Sequence, residues 1–138
     1  MSIERIAAWA TSAVVLAAII AGFALSGSPA ERRLERLDAR RVGDLQQLAR
    51  AVDAHWEDRA SLPDDLLRVV DGRRLSQLPV DPVSGLPYAY QPLPPDGYRL
   101  CAIFDRSSPA DQREQFWAHP AGQHCYELEV TGRGNRQP

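Results

Sequence analysis

The chain has 138 residues, 44% of them hydrophobic and 25% charged, with a formal net charge of −2. That length holds one modest domain, and so small a net charge excludes a general electrostatic attraction to nucleic acid. All 16 basic residues are Arg and none is Lys, a bias we attribute to GC-rich coding and not to phosphate binding.

Twenty residues from Ile6 to Leu25 carry no charge. At about 1.5 Å per residue a helix of this length covers the ~30 Å hydrocarbon core of a bilayer and satisfies its own backbone there. Trp9 sits near one end, where an interfacial aromatic is expected. A cleaved leader would use Ser28-Pro29-Ala30 as its small-residue site, but leader cores run only about 7–15 residues. Residues 1–26 are therefore expected to be a short stub and a membrane anchor, with the lipid bilayer as partner through residues 6–25. Residues 27–30, Gly-Ser-Pro-Ala, form a joint.

Residues 31–130 are expected to fold as an α+β domain, with a long amphipathic helix first. Over residues 31–59, Leu34, Leu37, Val42, Leu45, Leu48, Val52 and Trp56 recur at steps of three, four and five, while Arg40, Asp44, Arg50 and Asp53 fall elsewhere. His55 then reads as a boundary residue over the sheet. A second, short helix is predicted after Ser61-Leu62-Pro63-Asp64, capped by Ser61 or Asp64 and packing through Leu66, Leu67, Val69 and Val70. Three prolines and a glycine within residues 78–87 make that stretch an ordered loop. Strands are predicted at 87–91, 98–104 and 125–130, with Pro94-Pro95-Asp96-Gly97 as the hairpin loop between the first two. The sheet is thus small, antiparallel and three-stranded. Pro109 to Trp117 is expected to add a short helix, and residues 131–138 a frayed tail.

Cys101 and Cys125 are the only cysteines, each in or at the start of a predicted strand. In an oxidising compartment they would form a disulfide across the excursion 105–124. Two free thiols, and a Cys101, His119, His124, Cys125 metal set, are the alternatives, the last matching no standard zinc spacing. Phe116 and Trp117 either cover the sheet edge or form an exposed surface for a protein partner. No catalytic constellation, phosphate-cradling glycine loop or nucleic-acid surface is recognised, so no cofactor is implied and a non-enzymatic role is expected.

The helix segment Asp38-Ala39-Arg40-Arg41-Val42-Gly43-Asp44-Leu45, the Leu62-Pro63 break, Asp81-Pro82…Gly85-Leu86-Pro87-Tyr88-Ala89-Tyr90 and Tyr98-Arg99-Leu100-Cys101-Ala102 together resemble the soluble half of type IV pilins and type II secretion pseudopilins. The likeness covers about residues 31–105. Residues 116–126 are similar to the corresponding stretch of bacterial membrane proteins that carry such a domain. Gly22-Phe23 lies at the far end of the apolar run with no glutamate at the processing position, and Gly132-Arg133-Gly134-Asn135 lacks the carboxylates of a calcium loop. The resemblance therefore implies a pseudopilin-like ectodomain on an inner-membrane anchor, not a processed filament subunit, with an envelope protein as its partner. The cysteines and the resemblance favour an extracytoplasmic domain. Arg32, Arg33, Arg36, Arg40 and Arg41, just after the span, favour the cytoplasmic side by the positive-inside rule. The alternative is thus a cytoplasm-facing domain whose reduced thiols bind a metal or protein partner.

Overall fold

The computed structural model describes residues 2–26 and 28–130. The expected tail, with its Gly132–Asn135 stretch, lies outside the described residues. Two helices come first, α1 (Ile3–Ser26) and α2 (Pro29–Arg59), then three strands, β1 (Ala89–Leu93), β2 (Gly97–Phe104) and β3 (Gly122–Glu129). Two short 3-10 turns, Leu66–Val69 and Ala110–Gln112, lie between them. The chain divides after Leu34 into two compact units.

In the first unit, the stretch Ile3–Gly22 of α1 is long and apolar enough to cross a membrane, with a mean hydropathy of 1.7. Its two hydroxyls are internally satisfied: Thr11 donates to the Ala7 carbonyl at 2.5 Å and Ser12 to the Ala8 carbonyl at 2.9 Å. Back-bonding of this kind lets polar side chains sit on a lipid-facing helix without an orphaned donor. α2 starts at Pro29 and not at Glu31, because Ser28 and Glu31 form a capping box. The Ser28 hydroxyl accepts the Glu31 N–H at 3.2 Å, and the Glu31 carboxylate accepts the Ser28 N–H at 3.2 Å. Pro29 then falls at the first helical position, where a missing N–H costs nothing.

The second unit is an α+β domain whose sheet runs β1-β2-β3, antiparallel throughout. Alternation along β2 buries Tyr98, Leu100, Ala102 and Phe104. They join Leu45, Leu48 and Val52 of α2 in one hydrophobic cluster. At roughly 1.5–3 kcal/mol for each large side chain removed from water, this cluster is the main source of stability. All four tyrosines lend their rings to the core and donate their hydroxyls: Tyr88 to Asp44, Tyr90 to the Pro63 carbonyl, Tyr98 to the Ala49 carbonyl, Tyr126 to the Trp117 carbonyl. A buried phenol with a partner avoids the cost of an unmade hydrogen bond, so each tyrosine ties the sheet to a neighbouring segment.

Three sequence expectations are corrected. The second helix is a 3-10 turn capped by Asp65, which accepts the Leu67 N–H at 2.9 Å; it buries Leu66 and Val69 and leaves Leu67 exposed. β3 begins at Gly122, three pairs ahead of Cys125, because Ala102, Ile103 and Phe104 extend the ladder to His124, Gln123 and Gly122. Trp56 is only half-buried and outside the core, while Asp38 and Arg41 are buried on the core-facing stripe of α2.

Arg41 is 4% exposed and engages three carboxylates. Its Nε donates to Asp81 Oδ2 at 2.6 Å, and its Nη1 donates to Asp38 Oδ1 at 2.7 Å and to Asp105 Oδ2 at 2.6 Å. One cation cannot neutralise three anions, and backbone donors make up the difference. Asp38 also accepts the N–H groups of Asp105 and Arg106, while Asp81 Oδ1 accepts those of Val83 and Ser84. The Asp81 turn closes with the Gly85 N–H on the Asp81 carbonyl at 2.9 Å, and Gly85 takes a φ of +70° that a side chain would strain. Arg41 thereby fixes α2 to the turn before β1 and to the end of β2.

Burial disfavours the charged form of Asp81, but the Arg41 bond and the Ser84 and Val83 N–H groups outweigh it and hold its carboxyl down at about 2. A folded pKa below the unfolded one means that the stabilisation is complete above roughly pH 4 and is lost as pH falls through about 2. We expect melting curves to show a loss of about 2–3 kcal/mol across that window, and Asp81→Asn to flatten it. Arg41→Met, which strands three carboxylates, should cost about 3–5 kcal/mol. Arg99→Gln, at the exposed Arg99–Glu127 pair, should cost under ~1 kcal/mol. Equal losses in the two variants would mean that the buried network holds nothing together.

Candidate functional site

The residues singled out from the sequence converge on the β2–β3 half of the sheet. Cys101 and Cys125 face each other directly in the ladder, with a Cα separation of 4.0 Å and sulfurs at 2.08 Å. The disulfide therefore lies inside the antiparallel pairing, and three further residue pairs separate it from the excursion it was expected to pin.

On the core side, the excursion folds back as an aromatic cap. Phe104, at the end of β2, stacks on the His119 ring with centroids 3.6 Å apart and meets Tyr126 edge-on at 6.4 Å. Tyr126 is the hub: Trp117 lies 4.8 Å away, Phe116 6.1 Å, and His124 meets its ring at 4.7 Å, nearly perpendicular. The backbone holds the cap in place, for Ser108 and His119 exchange bonds: the Ser108 N–H donates to the His119 carbonyl and the His119 N–H to the Ser108 hydroxyl. Burial alone pushes the Tyr126 phenol up to about 12. Burial, and then the neighbouring His119, pull the His124 imidazole below its ordinary range.

The two aromatics named from sequence divide their roles. Trp117 packs against the core, while Phe116 stays 62% exposed against the Trp117 and Tyr126 rings. A rigidly backed, solvent-facing ring offers apolar contact without much ordering cost, the property of an interface anchor. The Cys101, His119, His124, Cys125 metal set does not assemble. Its sulfurs are bonded to each other, one imidazole is stacked on Phe104, and among the described residues no group of three His, Cys, Asp or Glu side chains is placed to hold a metal ion.

Sequence reasoning missed the Arg41 network. A signal was present, because positions 38, 41, 45, 48 and 52 continue one stripe at alternating steps of three and four, through an Asp and an Arg. His55, expected at the boundary of the sheet, is half-buried and lines a cleft together with Arg68 and Val69 of the 3-10 turn. No family model, curated protein or solved structure matches the chain.

Closing a chain loop with a sequence separation of 24 restricts the unfolded state by about 3.5 kcal/mol in the entropy treatment. Cys101→Ser and Cys125→Ser should each lose on the order of 3 kcal/mol of stability, read by thermal melting of non-reduced protein. The double substitution should be no worse than either alone, because both remove the same bond. Additive losses would instead assign the cost to packing of the individual side chains.

Proposed function

We propose that the chain is a non-enzymatic, single-pass module of the bacterial inner membrane. Its domain resembles a pseudopilin ectodomain and stands outside the cytoplasm, where Phe116 and its aromatic backing meet a protein partner of the envelope. The observation that carries this reading is the bonded Cys101–Cys125 pair in a chain that also contains a span-length apolar helix. Cytoplasmic glutathione and thioredoxin keep thiols reduced, whereas export past the membrane permits their oxidation. The aromatic cap supports the binding part of the reading, since its exposed ring is backed by two others and is not a lone surface residue.

The arginines favour a second reading. Arg32, Arg33, Arg36, Arg40 and Arg41 follow the span closely, against Arg5 before it. By the positive-inside rule that bias retains the domain in the cytoplasm, with both thiols reduced and free for a partner.

Trapping thiols in intact cells with a membrane-permeant alkylating reagent separates the two. Full-length protein should remain in the membrane fraction after carbonate washing, with neither cysteine alkylated. A C-terminal alkaline phosphatase fusion should be active. Two alkylated cysteines with an inactive fusion would establish the cytoplasmic reading instead.

A further inference from the structure

One side of the second unit holds a charge arrangement that the aromatic cap and the Arg41 network do not use. Where the last turns of α2 meet the 3-10 turn Leu66–Val69 and the bend after it, a cleft of about 60 Å³ opens. His55, Asp58 and Arg59 line it from α2, and Arg68, Asp71 and Arg74 from the opposite wall. At ~10–15 Å³ for one water-sized sphere, the cleft has room for about four or five such spheres, the size of a tetrahedral oxyanion.

The charges there are not balanced. Asp71 is spent on the backbone: its Oδ1 accepts the N–H groups of Arg73, Arg74 and Leu75. Asp58 is spent on Arg74, at 2.9 Å. Arg59 and Arg68 make no ion pair among the described residues. Both act on the half-buried His55 ring, which burial and then Arg59 push below the ordinary imidazole range, Arg68 adding to the effect while the Arg68 carbonyl and Asp58 oppose it. The lining of the cleft thus carries three Arg against two Asp, and two of those Arg make no ion pair among the described residues. α2 contributes its C-terminal end, whose dipole attracts cations but neutralises neither side chain. An anion there supplies the missing counter-charge, and the planar fork of Arg donates two parallel bonds to a phosphate or sulfate oxygen pair.

We infer that the His55–Arg59–Arg68 cleft is a binding site for a phosphate-class oxyanion, either free in solution or the headgroup of an anionic lipid. Arg59 and Arg68 hold the anion bidentately, and the His55 ring in the cleft wall senses its charge. The exposed Asp58–Arg74 pair sets the strength, because releasing Arg74 adds a third donor.

The full chain in neutral detergent micelles tests the site by following the His55 ring and the Arg59 and Arg68 side-chain resonances. Inorganic phosphate, added at constant ionic strength with chloride, should move all three saturably. Arg59→Gln and Arg68→Gln, both exposed and expected to leave the melting temperature unchanged, should each weaken binding by about tenfold. Asp58→Asn should tighten it. Vesicles of phosphatidylcholine with and without phosphatidylglycerol identify the source: a response to the anionic vesicles and not to inorganic phosphate marks a headgroup site, and the reverse marks a free anion. The inference is overturned if neither phosphate nor anionic vesicles move these resonances, or if the two Arg→Gln variants respond like the unsubstituted protein.

Discussion

The second unit is organised around one buried guanidinium. Its hydrophobic cluster is non-directional and would tolerate a range of helix placements over the sheet. Arg41 removes that freedom. Its planar fork accepts only a narrow set of oxygen positions, and the three it finds belong to α2 itself, to the turn before β1 and to the end of β2. Because Asp38 and Asp81 also receive backbone N–H bonds, shifting the helix would break several charge-assisted bonds at once. Apolar burial supplies the driving force, and the network selects one arrangement of it. A buried ion group of this kind adds little net stability compared with a well-packed apolar replacement, so specificity is the better account of its presence.

The tyrosines extend the same logic around the sheet. Tyr88 donates to Asp44 and Tyr98 to the Ala49 carbonyl, both on α2, while Tyr90 reaches the Pro63 carbonyl just beyond it. Each ring fills core volume, and each hydroxyl fixes a distance that an apolar side chain could not. At the far end of the ladder, Tyr126 does this for the excursion, holding Trp117 by its carbonyl and leaving Phe116 as the exposed ring. The disulfide lies in the same pair of strands, so the region that presents Phe116 is held by ladder, cross-link and aromatic packing together.

How much of this was legible depends on what carried the signal. The apolar run of α1, the period of α2 and the two-residue alternation of β2 are local patterns, and each element appeared where its pattern lay. Element ends were less readable because they rest on single bonds: Ser28 with Glu31 moves the start of α2, and pairing with Phe104 moves the start of β3 to Gly122. The Arg41 network was hidden for a different reason. Charged residues on an amphipathic helix are normally solvated, and Asp81 and Asp105 lie 40 and 64 residues away in the chain. Only the fold brings them together. The cleft at His55 was concealed likewise, since its cations come from two segments that no periodicity connects.

Native-state hydrogen exchange tests the central claim most directly, at the amides of Val83, Ser84, Asp105 and Arg106. None of these N–H groups bonds to a strand ladder; each donates to a carboxylate that Arg41 holds. If the guanidinium is what fixes helix to sheet, these four amides exchange only through global unfolding, with protection equal to that of Leu100 in the centre of β2. Protection markedly below that of Leu100, arising from local opening while the sheet stays closed, would contradict the account. The Arg41 group would then be a consequence of the packing and not its determinant.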